Sequence, residues 1–422
     1  MTRYFSLVIA ALMCLACSQA PEFDLVITGG TVFDGTGTEP RRVDLGIKGD
    51  RIVAIGNLTG RAASESINAT GKTVAPGFID LLSRSGVALL AGGLGESHLR
   101  QGITSEILGD HSPAFWTAAN ADQDALRVGG VTFDWSGLNG YFNNLESRGT
   151  TINVGTLAPL SLARGDNGGT VAFVDAAIRD GALGALDDAG LSTTDLAGVA
   201  AAVGRADTLL VIPVESTAAT SDDALFSTGG LAHRIIISGV SRAAAAGGAG
   251  IAEIVGRLMR ANQRSIGAYG TIVPSPQTSE QPAMRDTLRY SGVIAATDSA
   301  ATTVAAAPPN APSAAFGAFP RLLGQIVRDE HVMELREAIS RSSFLPASML
   351  KIAQRGIIRE NAFADIVVFD QATIADRATI ENPHQYPSGI EYVIVNGVVA
   401  LTPRGLTGAR PGHRLVRGAD SR

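Results

Sequence analysis

The feature that most constrains the fold is a series of eight apolar runs, each the length of a buried strand and mostly separated by helical patterns. They cover residues 74–79, 103–108, 152–157, 182–186, 209–214, 234–238, 265–272 and 293–296. Between them, stretches such as 173–179, 196–203 and 251–259 repeat apolar side chains at helical spacing. Strands that are apolar at nearly every position are buried on both faces, as parallel strands covered by helices are. Eight of them alternating with helices predict an α/β fold, a closed (β/α)8 barrel, and the same pattern also suits an open parallel sheet. The 49 glycines and the alanine run 243–246 suit close packing of helix on strand. The low-complexity stretch 301–315 after the eighth run reads as a loop.

The two ends of the chain have a different style. Residues 23–27 and 31–33 are short strands around the turn Thr28-Gly29-Gly30, and 43–48 and 51–55 flank the hairpin turn Gly49-Asp50. Residues 363–369 form another strand, and 392–396 with 397–400 another hairpin. Strands this short cannot bury a face alone, so one small β-sandwich built from both ends is expected to clasp the barrel. The boundaries expected are a lipoprotein-type signal peptide at 1–16, sandwich at 21–72, barrel at 73–350, sandwich again at 351–405 and a surface tail at 406–422.

Arg3 followed by the short apolar stretch 7–15 is a targeting segment, too short to remain as a membrane span. Cys14-Leu15-Ala16-Cys17 resembles a bacterial lipoprotein box, with Cys14 where a leucine is usual. Cleavage before Cys17 predicts a lipid anchor there and a place on the periplasmic or cell-surface face of a bacterial membrane. Ordinary cleavage after Ala20 competes, but it leaves Pro21 directly behind the cut. After processing, Cys17 is the only cysteine, so neither an internal disulfide nor a cysteine nucleophile is available. A net charge of -6 gives no electrostatic case for nucleic acid.

Three N-terminal motifs are similar to the opening of amidohydrolase-superfamily proteins: Phe23-Asp24-Leu25-Val26-Ile27-Thr28-Gly29-Gly30-Thr31-Val32, Gly49-Asp50-Arg51-Ile52 and Ala75-Pro76-Gly77-Phe78-Ile79-Asp80. The segment 356–370, followed by Asn382-Pro383-His384-Gln385-Tyr386-Pro387, resembles the N-acyl-D-amino-acid deacylase branch. The resemblance spans nearly the whole mature chain, with one large shortfall in the second half of the barrel region. It implies a (β/α)8 barrel with a β-sandwich from both ends. It also implies hydrolysis of N-acyl-D-amino acids with a divalent metal, usually zinc.

Such a metal lowers the pKa of a bound water and polarises the scissile carbonyl, held by imidazoles and carboxylates at the upper strand ends. The family's His-x-His pair after the first strand falls here on Leu82 and Arg84, and neither can ligate a metal. Its Glu or Cys after the second strand falls in Gly109-Asp110-His111, where Asp110 or His111 could substitute. After the fifth strand the run is Val211-Ile212-Pro213-Val214-Glu215, with Pro213 nearest the expected histidine. After the sixth, a Ser-His pair becomes Ser238-Gly239. The catalytic aspartate matches Asp298, and the substrate-gripping arginine has no counterpart in 301–315. Of six histidines, His98, His233, His331, His384 and His413 read as surface or packing residues, and only His111 falls at an upper strand end. Ser83, Ser85, Ser112 and Ser238 lie near strand ends, but none sits in a Gly-x-Ser-x-Gly elbow.

The expectation is an amidohydrolase-like protein of the cell envelope that is catalytically inactive, needs no cofactor and acts as a binding or partner subunit. It would form a homo-oligomer or a complex with an active homologous subunit, with Arg84, Glu215 and Asp80 as binding residues. The alternative is a divergent hydrolase of small amides, with one divalent metal on Asp110, His111, Glu215 and Asp298 and with Asp298 catalytic. Glu215 and Asp298 could also serve as an acid/base pair. Charge balance further predicts a bidentate salt bridge from Arg84 to Asp298, shared with Asp110 or Asp80, because a carboxylate without its metal needs another cation.

Overall fold

The computed structural model describes residues 21–109, 127–128, 131–132, 135–163, 169–213, 234–238, 267–276, 285 and 287–418. The chain opens with seven short strands: β1 (Phe23–Thr28), β2 (Thr31–Val32), β3 (Arg41–Arg42), β4 (Asp44–Lys48), β5 (Arg51–Gly56), β6 (Ala63–Asn68) and β7 (Thr73–Pro76). The hairpin between β4 and β5 turns at Gly49-Asp50, where Gly49 takes φ 56°, a conformation glycine adopts without steric cost. The sheet order β5-β4-β1-β6 makes one layer of the β domain.

The barrel begins at β8 (Phe78–Ser83), followed by α1 (Gly86–Leu90), α2 (Glu96–Leu99) and β9 (Ile103–Leu108). A small hairpin, β10 (Arg127–Val128) and β11 (Val131–Thr132), precedes α3 (Gly137–Arg148). The third barrel strand is β12 (Asn153–Thr156), continued after a break as β13 (Ala158–Pro159). Then come α4 (Gly169–Arg179), β14 (Gly184–Leu186), α5 (Thr193–Arg205), β15 (Leu209–Pro213), β16 (Arg234–Ser238), β17 (Gly267–Ile272) and β18 (Val293–Ala295). All neighbouring pairs are parallel. The ring closes where Ser83 bridges Ser299 and the Arg84 N–H donates to the Ser299 carbonyl at 2.9 Å. Of the two arrangements the apolar runs allowed, the barrel is therefore the one formed. The expected helix at 251–259 lies outside the described residues.

Side-chain alternation divides the barrel wall. Ile79, Leu81, Ile107, Leu157, Leu183, Leu209, Val211, Ile236 and Ile294 pack together inside. Phe78, Leu210, Ile212, Ile235, Val293 and Ala295 pack outward against helices and the β domain. The period of two along each strand is what sorts them.

After β18 and its loop come α6 (Ala314–Arg321), a π-helical continuation (Leu322–Asp329), α7 (Leu335–Ser342) and α8 (Phe344–Leu350). The C-terminal strands β19 (Ile366–Phe369), β20 (Ile390–Val395), β21 (Val398–Thr402) and β22 (Gly405–Leu406) complete a second sheet in the order β22-β21-β20-β19-β7-β2-β3. Both chain ends thus build one β domain, as expected. β7, assigned to the barrel by the sequence boundary at residue 73, pairs instead with β19 and belongs to this domain. A buried network joins the two bodies: Asp365 accepts from Arg355, from Asn153 Nδ2 at 3.2 Å and from the Asn396 N–H at 2.8 Å. Among the described residues no helix is long and apolar enough to cross a membrane.

The expected surface tail is a strap. Gly412 and Arg414 bridge Thr150 and Val154 at the start of the third barrel strand. Leu415 is 1% exposed and enters the barrel interior among Leu183 and Leu209. The tail arginines reach carbonyls where helices end: Arg410 the Arg148 carbonyl at 2.8 Å, Arg414 that of Asp180 and Arg417 that of Ala206. Cations at these carbonyl-rich ends oppose the helix dipoles favourably. A surface tail would tolerate Leu415→Ala within about 0.5 kcal/mol. The strap predicts a loss of about 2–4 kcal/mol in urea unfolding, as for other buried leucines.

Candidate functional site

The upper end of the first barrel strand carries the chemistry. A register shift between Asp80 and Ser83 turns the chain there. Leu82, 7% exposed, joins the apolar interior, and Arg84 follows at the mouth. Asp298 stands next to it after the eighth strand, with φ 47°, in the left-handed region that Asp tolerates better than most residues. Arg84 Nε and Nη2 both lie 3.0 Å from Asp298 Oδ1. The expected pairing is present in a different form. Both nitrogens use one oxygen rather than forking across two, and the Arg84 side chain is 35% exposed against 17% for Asp298.

That exposure lowers the cost of breaking the pair. Breaking a buried pair would cost a few kcal/mol. For a group one-third in solvent, Arg84→Ala and Asp298→Ala are each expected to cost about 1 kcal/mol or less. The double variant should cost less than the sum, as measured by a denaturation cycle.

Behind the mouth, on the outer side of the barrel wall, lies a polar cluster that sequence reasoning missed. Asp80, His98 and Glu106 are each 0% exposed. His98 Nδ1 is 2.9 Å from Glu106 Oε1 and 4.0 Å from Asp80 Oδ2. Asp80 accepts from the Thr297 N–H at 3.1 Å and from the Thr297 hydroxyl. The Ser83 hydroxyl donates to Glu106 Oε2 at 2.5 Å, and Ser83 Oγ lies 2.8 Å from Ser85 Oγ. His98 was expected to be a surface or packing residue. Instead α2 brings it against the upper half of the second strand. The available signal was Glu106 itself, a carboxylate inside the apolar run 103–108, which burial obliges to find a cation. Ser83 and Ser85 are fully buried in this cluster, which removes them as nucleophile candidates.

Asp80 was expected to bind ligand. Its full burial and its bonds to Thr297 make it a residue that ties the eighth strand end to the first. Burial pushes its pKa up to about 7, against the opposing pull of His98 and Thr297 and with the help of Glu106. Burial also works to raise Glu106, but His98, Ser83 and Ser85 outweigh it and hold Glu106 below its ordinary value. For His98, burial lowers the pKa, and the two carboxylates more than reverse that, Glu106 foremost. Asp110, His111, Glu215 and Cys17 lie outside the described residues.

Among the described residues, the donor chemistry at the mouth does not fit a catalytic metal of the family type. Leu82 has no donor atom, and Arg84 places a cation on Asp298. Among the described residues no group of three or more His, Cys, Asp or Glu side chains is placed to hold a metal ion.

Comparisons agree with this architecture. An amidohydrolase family model matches residues 265–401. The N-acyl-D-glutamate deacylase of Alcaligenes xylosoxydans xylosoxydans is 29% identical, over 94% of this chain and 98% of the relative. That alignment runs over 488 residues, more than the 422 of this chain, so the relative carries segments without a counterpart here. The D-aminoacylase of the same organism is 26% identical over 95% of this chain and 99% of the relative. Among solved structures, an N-acyl-D-glutamate deacylase from Bordetella bronchiseptica, complexed with zinc and a phosphonate inhibitor, superposes with a TM-score of 0.78 at 24% identity, covering 93% of this chain and 99% of that one. The barrel and its two-ended β domain define an amidohydrolase-type architecture. The chain is similar in sequence and architecture to amidohydrolases of the D-aminoacylase and N-acyl-D-amino-acid deacylase branch.

Asp80 also sets a pH dependence. With a folded pKa of about 7 and an ordinary unfolded value of 3.8, the folded state holds a proton that the unfolded chain has lost between those limits. Stability from this group therefore falls as pH rises from about 4 to 7. Denaturant midpoints measured across that window should decline for the native protein, and Asp80→Asn should flatten the decline.

Proposed function

We propose that this protein is a non-hydrolytic member of its superfamily that uses the barrel mouth as a binding or partner surface. The observation that carries this reading is the Arg84 guanidinium bonded to Asp298, at positions that match a metal-ligand position and the catalytic aspartate in the resembling family. A carboxylate neutralised by a fixed guanidinium needs no metal, and a cation there opposes the entry of another. The fold meanwhile keeps its closed barrel and β domain, and a fold without its site does not by itself support activity. The ligand class that suits such a mouth is a small N-acyl amino acid or related amide, by analogy with the named deacylases. The proposal places the protein on the periplasmic or outer face of a bacterial membrane, anchored through Cys17, as a homo-oligomer or beside an active homologous subunit.

The second reading is a divergent metal-dependent hydrolase, favoured by similarity along the whole length to a deacylase at 29% identity. Purified protein separates the two. The non-hydrolytic reading predicts less than stoichiometric zinc by elemental analysis and no chelator-sensitive release of glutamate from an N-acyl-D-glutamate. Stoichiometric zinc together with chelator-sensitive hydrolysis overturns it.

A further inference from the structure

The two members of the mouth ion pair sit on backbone segments that are each held from behind by one carboxylate of the buried cluster. Arg84 lies between Ser83 and Ser85. The Ser83 hydroxyl bonds Glu106, and Ser83 Oγ accepts from the Ser85 N–H at 3.1 Å. Asp298 lies between Thr297 and Ser299. Thr297 bonds Asp80 through its N–H and its hydroxyl, and Thr297 Oγ1 accepts from the Ser299 N–H at 3.3 Å. The two segments also meet directly, with the Arg84 N–H on the Ser299 carbonyl at 2.9 Å and the Ala301 N–H on Ser85 Oγ at 2.9 Å.

His98 spans the gap behind them. Its Nδ1 bonds Glu106 and faces Asp80. Its neighbour Ser97 anchors the loop after the eighth strand, exchanging backbone and hydroxyl bonds with Thr302 at 3.0 Å each. A side chain that only filled space would be served by an apolar residue of similar volume, since buried ionic groups stabilise poorly compared with packed hydrophobes. What the imidazole supplies is a hydrogen bond to Glu106 and, from the same nitrogen at 4.0 Å, an attraction that draws Asp80 toward the same point.

We propose that His98 is a positioning residue for the barrel mouth. Through Glu106 it sets the Ser83–Ser85 segment and through Asp80 the Thr297–Ser299 segment, so that Arg84 and Asp298 meet in one geometry. The inference rests on the reading that this ion pair is the working feature of the mouth, and its test is separate from zinc content and hydrolysis.

The test is the coupling between Arg84→Ala and Asp298→Ala, read as a ratio of unfolding equilibrium constants in a double-mutant cycle. The cycle is measured in the native protein and again in His98→Ala and His98→Asn backgrounds. A partly exposed pair predicts a coupling of about threefold in the native background. It should fall to near one in His98→Ala. It should return in His98→Asn, whose amide can donate to Glu106 from nearly the place of Nδ1. A purely structural role for His98 lowers overall stability but leaves the coupling unchanged, and that result overturns the proposal. If His98→Ala does not fold, Asp80→Asn takes its place. The proposal then requires reduced coupling in Asp80→Asn and retained coupling in His98→Asn, and unchanged coupling in Asp80→Asn rejects it. Zinc-dependent hydrolysis would remove the non-hydrolytic reading without altering any of these ratios.

Discussion

Everything described at the mouth depends on how the barrel closes. Seven of the eight strand junctions lie between runs adjacent in sequence, but the last joins the first strand to the eighth across more than two hundred residues. That seam is short, a bridge between Ser83 and Ser299 and the bond from Arg84 to the Ser299 carbonyl. A seam with so few backbone bonds needs side chains, and Asp80 supplies them by holding Thr297 through two bonds. The long-range contact is entropically costly to form, so the groups that secure it are buried where water cannot compete.

The seam has two sides. Inside the barrel the alternation of the strands delivers apolar residues, with Leu82 among them, and at the rim the Arg84–Asp298 pair. Outside, under α2, it delivers Asp80, Glu106 and the serine and threonine hydroxyls. The two sides carry opposite electrostatic problems. The rim pair is partly in water, where attraction is screened and a misplaced partner costs little. The cluster under α2 is dry, so each carboxylate needs hydrogen-bond donors or a proton. The system meets that need unevenly, with Glu106 held ionised beside His98 and Asp80 pushed toward the neutral form. One imidazole can satisfy one buried carboxylate fully, and the second then favours its proton.

Much of this was legible before any coordinates. The apolar runs located the second to eighth barrel strands, whereas the first run, 74–79, straddles β7 of the β domain and the start of β8. Arg84 in place of a ligand and Asp298 still present led to their pairing by charge balance alone. The buried cluster was not legible because nothing in a linear chain says that His98, in a short helix before the second strand, turns inward. The face that Asp80 occupies was not legible for the same reason. A carboxylate at a strand end can face the mouth or the wall, and the register shift at that point decides which. The tail's one buried contact was not legible because its composition is polar, while the residue that enters the barrel, Leu415, is one apolar side chain among arginines.

The sequence by itself determined the class of the molecule: apolar runs of strand length alternating with helices, two β-rich ends, and a first strand end stripped of metal-binding side chains. These are local properties, set by periodicity and residue type. Only the tertiary structure decided whether the runs close into a ring, which face each polar side chain occupies, and that the tail plugs the lower end of the barrel. Those outcomes depend on burial and on partners far away in the chain. Whether a charge is costly or useful is fixed by the groups that surround it after folding.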